Sequence, residues 1–137
     1  MKLVDPRLRP SDTEKITINL GPVDLGQIDL LVQEGFYSNR TDLIRTAIRN
    51  QLNAHADVVR QTVARRQLVL GLQHFSRADL QALLESGQSL AIQVLGLASI
   101  AADVTPELAL QTIRSIQVLG ALHASAAVKV ALADRIH

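Results

Sequence analysis

Lys15-Ile16-Thr17-Ile18-Asn19-Leu20 alternates polar and apolar residues without a break. In a β-strand, successive side chains point to opposite faces. One face of this stretch therefore carries Ile16, Ile18 and Leu20, and the other carries Lys15, Thr17 and Asn19. The apolar face needs a core. The polar face holds a cation, a hydroxyl and an amide, the groups that hydrogen-bond base edges in a major groove. A lone strand satisfies neither its backbone nor its apolar face. The segments that follow read as helices, so the expected partner is the same strand of a second copy. Two such strands make a ribbon, a shape that a major groove admits.

Working outward, Gly21-Pro22 ends the strand and suits a helix start. Leu25, Ile28, Leu31 and Val32 then recur at helical spacing over residues 23–34. Gly26 within that helix costs about 1 kcal/mol against alanine, which predicts a packing reason for it. Gly35 is a left-handed stop, with Phe36 and Tyr37 expected over the turn. A second helix opens at Asn39, with Asp42 in capping-box position. Leu43, Ile44, Ala47, Ile48 and Leu52 form its apolar stripe, with Arg40, Arg45, Arg49 and Asn50 largely off it. The pattern runs on through Val59 and Val63, so residues 56–66 read as a helical connector. Upstream, residues 1–13 carry Lys2, Arg7, Arg9, Pro6 and Pro10 and read as a flexible arm.

From Gln67 the chain turns rich in Leu, Ala and Val and begins to repeat. Ile92-Gln93-Val94-Leu95-Gly96 recurs as Ile116-Gln117-Val118-Leu119-Gly120, and Leu68-Val69-Leu70-Gly71 is a weaker earlier copy. Each copy precedes a helix start, at Ser76, Thr105-Pro106-Glu107 and Ser125. Three strand-then-helix units follow, over residues 67–86, 90–114 and 115–137. A period in the twenties with one strand and one helix marks a small solenoid. A plain helical bundle is the competing reading, since Leu and Ala runs suit either.

Composition narrows the function. The chain of 137 residues has a net charge of +1, so any nucleic-acid role depends on local placement of charge. Aromatics make up 2%, too few for stacking platforms that bind single strands. Cysteine is absent, which excludes disulfides and thiolate metal sites. His55, His74, His123 and His137 lie far apart, without ligand spacing, so no metal or cofactor is expected. Asp79, Asp103 and Glu107 are explained as caps and first-turn acids. No nucleophile–base pair or phosphate loop is visible, and no enzyme is expected. Residues 1–10 lack a signal-peptide pattern, and no apolar run reaches the ~18 residues of a membrane span. A cytoplasmic, nucleoid-associated protein is the expectation.

The order β-α-α over residues 14–55 resembles the ribbon-helix-helix superfamily, the CopG/Arc/MetJ-like group of bacterial DNA-binding proteins. The resemblance rests on alternating Lys15 to Leu20, on Gly35-Phe36-Tyr37-Ser38-Asn39-Arg40-Thr41-Asp42, and on Ile44-Arg45 with Ala47-Ile48. It implies a dimeric ribbon-helix-helix domain; with the solenoid-like strand–helix repeat domain read from the repetition over residues 67–137, the expected fold is α+β. It also implies a transcriptional regulator, most often a repressor, that binds double-stranded DNA as a homodimer. By the resemblance Lys15, Thr17 and Asn19 read bases, while Ser38, Asn39 and Arg40 clamp phosphate. Arg45 and Arg49 are as well suited to structural ion pairs as to DNA. Nickel-responsive members carry histidines and a cysteine in a C-terminal sensor, a pattern this chain lacks.

Two alternatives stay open. Antitoxins and partition proteins share the fold, although an antitoxin tail is usually disordered and this tail is apolar. The other is an assembly or scaffold protein, in which residues 67–137 stack on those of other chains into higher oligomers.

Overall fold

The computed structural model describes residues 13–137. The arm expected at residues 1–13 lies outside them, apart from Thr13. The described residues divide into two compact units, with residues 15–62 in one and residues 63–137, together with Thr13 and Glu14, in the other.

In the first unit, Lys15 to Leu20 forms no strand within the single chain and is exposed throughout. The reason is physical: no second strand lies among the described residues of this unit to complete a ladder. Ile16, Ile18 and Leu20 are 76%, 59% and 37% exposed. Helix α1 (Pro22–Gln33) starts with proline in its first turn. It ends in a Schellman arrangement, in which Phe36 N–H donates to Leu31 O and Gly35 N–H to Val32 O. Gly35, at φ +85°, supplies the left-handed residue that this ending requires. Helix α2 (Arg40–Ala54) is nearly continuous with α3 (Ala56–Arg65) across His55.

Two expectations here need correction. Phe36 does not cover the turn, being 71% exposed, and only Tyr37 is half-buried. Gly26 has no packing reason within the chain, because a side chain there would meet open space. No residue of α1, α2 or α3 is buried.

The second unit has its own core. Strands β1 (Val69–Phe75), β2 (Leu90–Ile100) and β3 (Ile113–His123) form a parallel sheet in the order β1-β2-β3. Helices α4 (Arg77–Glu85), α5 (Pro106–Thr112) and α6 (Ala126–Ala131) follow one strand each. The helices form a second layer, α4 packing on α5 and α5 on α6. Between the layers lie Phe75, Leu80, Ile92, Val94, Ala98, Ile113, Ile116, Val128 and Leu132, all buried.

Each helix is opened by a side-chain cap. Ser76 accepts from Asp79 N–H and Asp79 accepts from Ser76 N–H, a reciprocal box. Thr105 caps α5 and Ser125 caps α6 in the same way, each without the return bond. The Ser76 backbone bond holds the Asp79 carboxyl below its ordinary pKa.

Register aligns the repeated residues. Val69, Val94 and Val118 are neighbours across the sheet, as are Leu70, Leu95 and Leu119, and Gly71, Gly96 and Gly120. The three glycines have φ of +125°, +139° and +122°, a conformation closed to ordinary side chains. A side chain on Gly96 would overlap Gly71 O, and one on Gly120 would overlap Gly96 O. The glycine recurrence in the sequence is therefore a steric requirement at one level of the sheet.

One unit boundary shifts. β3 begins at Ile113 rather than Ser115, because α5 runs into the strand with no loop. Leu90 pairs with Ile113 and Ala91 with Ser115, so Arg114 is the extra residue of a bulge. Its guanidinium reaches back to Ser89 Oγ at 2.9 Å.

Candidate nucleic-acid interface

The start of α2 is organised by three short-range bonds. Asn39 is extended at φ −165°, and its Oδ1 accepts from Asp42 N–H at 2.8 Å. Asp42 Oδ2 accepts from Ser38 N–H at 3.0 Å. The return bond thus reaches the residue before the cap rather than the cap itself, a one-residue variation on the box the sequence suggests. The first turn still presents its leading amides outward, since the first intrahelical bond is Leu43 N–H to Asn39 O.

Arg40 follows the cap and is tied to α1. Its Nε and one terminal nitrogen each lie 2.8 Å from an Asp29 carboxylate oxygen, a bidentate pair. The hydrogen bond holds the Asp29 carboxyl below its ordinary range and raises the Arg40 guanidinium. Both side chains are about half exposed, so water screens the pair and its main effect is geometric. It locks the start of α2 against α1. A guanidinium carries five N–H donors, and Asp29 takes two.

Beside this point, Ser38, Asn39, Thr41, Asp42, Arg45 and Arg49 line an open concavity of about 340 Å³. On α2, positions 42, 45 and 49 fall on one stripe, three or four residues apart. Arg45 and Arg49 enter no ion pair among the described residues. The sequence left these two arginines balanced between structural and DNA roles, and the stripe spacing was the signal that groups them with the cap. Asp29 as partner of Arg40 was missed. Eleven residues separate the two, and only the packing of α1 on α2 brings them together.

Lys15, Thr17 and Asn19 are exposed on the extended segment. No hydrogen bond or ion pair among the described residues joins them to α2.

The histidines do not converge on a metal set among the described residues. His74 Nδ1 lies 3.1 Å from Ser99 Oγ, and Ser99 is in register with His123. The two histidines therefore stand two strand spacings apart, roughly 10 Å. His123 Nε2 instead meets Glu14 Oε1 at 2.8 Å. No described helix is long and apolar enough to cross a membrane.

No curated protein and no solved structure matches this chain. A family profile does, over residues 11–129. The match extends well beyond the β-α-α stretch that carries the resemblance in the sequence, through all three C-terminal strands and into α6. The match thus takes in most of residues 67–137. The chain belongs to the ribbon-helix-helix transcriptional regulator family.

Proposed function

We propose that the protein is a homodimeric, sequence-specific DNA-binding repressor. The observation that carries this reading is the extended segment with Ile16, Ile18 and Leu20 exposed and no partner strand beside it among the described residues. Val23, Leu30, Ile48 and Leu52 are exposed with them, between 47% and 74%. A single chain gains nothing from that much apolar surface in water. Pairing the segment with its copy closes the ladder and covers the apolar face. The same pairing turns Lys15, Thr17 and Asn19 outward together, as a ribbon suited to the major groove.

Phosphate is taken by Ser38, Asn39 and Arg40 at the start of α2, where free amides and the helix dipole favour an anion. Asn39 keeps its side-chain NH₂ for this, since the cap uses only its oxygen. Arg40 acts from a fixed position with the donors Asp29 leaves open. Arg45 and Arg49 extend the cationic stripe along the same concavity. These contacts set register, and the strand residues specify sequence.

Selection of bound fragments from genomic DNA tests the reading. A short recurring palindrome is expected. Uniform recovery of all fragments would remove sequence-specific regulation.

A second reading concerns residues 67–137, which we read as a minimal strand–helix solenoid that also assembles dimers. Its support is the in-register stacking of the repeated strands. The buried core of this unit argues against an antitoxin tail that folds only on its toxin.

A further inference from the structure

The sheet ends on both sides in strands that carry one half of the same pairing code. β2 reads Val94-Leu95-Gly96 and accepts β1 on one edge and β3 on the other, in each case valine to valine, leucine to leucine and glycine to glycine. The outer edge of β1 offers Val69-Leu70-Gly71, and that of β3 offers Val118-Leu119-Gly120. No described strand covers either outer edge over these residues. Leu70 is 59% and Leu119 44% exposed, whereas Leu95 between them is half-buried. Each outer leucine lacks the neighbour that the central one has.

The two free edges also begin at equivalent positions. The lower part of β3 is already occupied: Ile136 bridges Ile116 in parallel, and His137 N–H donates to Ile116 O at 2.9 Å. The open part of β3 therefore begins after that bridge and includes Val118. β1 begins at Val69, the register equivalent of Val118. A β1 strand laid against β3 in the existing register would start just beyond the C-terminal bridge.

Edges left open in monomers are usually guarded by charge, proline or a bulge. Neither Leu68 to Phe75 nor Ser115 to His123 contains Lys, Arg, Asp, Glu or Pro. The glycine level sharpens the fit. Gly71 O and Gly96 O each fill the space that a side chain on the next strand would need. Only a strand with glycine at that level and a left-handed φ can be added after Gly120, and β1 has both.

We infer that β1 of one chain adds to the outer edge of β3 of a second copy, residues 69–73 against 118–122, so that the sheet continues across molecules. The contact is head-to-tail, so each added copy leaves one edge free for the next, and growth stops only if the rotation between copies closes a ring. This rests on the assembly reading of residues 67–137 and names its surface and its partner. With ribbon pairing at the other end of the chain, the result is a linked series of DNA-binding dimers.

Charge exchange at the leucine level tests it, because Leu70 of one copy would stand beside Leu119 of the next. The full chain is compared with L70K/L119K and L70K/L119E by sedimentation velocity over a range of micromolar concentrations. Short-operator binding is measured alongside, and far-UV circular dichroism confirms the fold. Both side chains are exposed, so the single chain tolerates the changes. The wild-type chain should form multiples of a dimer whose mass rises with concentration. The double-lysine variant should stop at the dimer, and the lysine–glutamate variant should recover the larger species. A wild-type chain that stays a dimer at every concentration overturns the inference without touching the ribbon. So does a double-lysine variant that assembles like the wild type. A double-lysine variant that falls to folded monomers supports the edge contact and removes the ribbon dimer instead. The wild-type concentration series decides by itself if either variant fails to fold.

Discussion

The backbone oxygen of Gly71 occupies the space that a side chain on Gly96 would need. Gly96 repeats the relationship toward Gly120, so the three strands pack at one level through backbone alone. All three glycines also hold positive φ. Gly96→Ala therefore meets two penalties, a forbidden conformation and a clash with main chain that cannot move aside. The conformational penalty by itself is about 1–3 kcal/mol. Urea unfolding should show the C-terminal unit destabilised by at least that much. Gly87→Ala, at φ +71° but in open space, should cost less. Equal effects at the two sites would mean that the glycine level is not a packing constraint.

Ile18→Asp should abolish pairing of the ribbon. An aspartate at the centre of the apolar face would be buried without a partner, which no strand pair tolerates cheaply. Sedimentation of a fragment covering residues 1–66 should change from dimer to monomer. A fragment that remains a dimer would place the dimer contact elsewhere.

Thr17→Ala and Asn19→Ala should each lower the preference for operator over random DNA, by about 1–3 kcal/mol where the contact is bidentate. Arg40→Ala should weaken binding to all sequences alike and reduce the slope of log affinity on log salt by about one unit. Asp29→Asn should leave the slope intact or steepen it, since it removes a competing anion from Arg40. Titrations at several salt concentrations measure all four. The division between reading and clamping is reversed if Arg40→Ala alone abolishes specificity.

Asp29 and Asp79 both have carboxyl groups held below their ordinary pKa, by Arg40 and by the Ser76 backbone respectively. A depressed carboxylate stabilises the fold above its unfolded pKa, near 3.9, and loses that contribution as pH falls through the lower folded value. The α1–α2 pair and the α4 box should therefore be constant from neutral pH down to about 4. Below that, the stability of the wild type should decline toward that of Asp79→Asn. Acid titration monitored by circular dichroism at 222 nm checks this, and a difference between the two proteins that does not narrow as the pH is lowered would contradict it.

Gly26→Ala separates the single chain from the dimer. Within one chain the new methyl meets nothing, so helix propensity favours the variant by about 1 kcal/mol. If the partner's backbone approaches α1 at this point, dimer dissociation should rise instead. Thermal melting at two protein concentrations distinguishes these outcomes.

Local chemistry was legible in the sequence wherever a few adjacent residues decide the structure. Gly35 ends α1 because only a left-handed residue closes a Schellman turn, and Asn39, Ser76, Thr105 and Ser125 open helices because each reaches an amide three residues on. The recurrence around Gly96 and Gly120 likewise announced repeated units, since identical strands want identical neighbours. What adjacency does not encode came from the tertiary structure. Asp29 and Arg40 meet across two helices, and the glycine level exists only once three strands are side by side in parallel register. The C-terminal bridge from Ile136 to Ile116, which sets the length of the open edge of β3, depends on where the chain returns. The segment Lys15 to Leu20 shows the boundary between the two. Alternation alone determines which side chains share a face, but a strand is a paired object, and no pair for this one lies among the described residues.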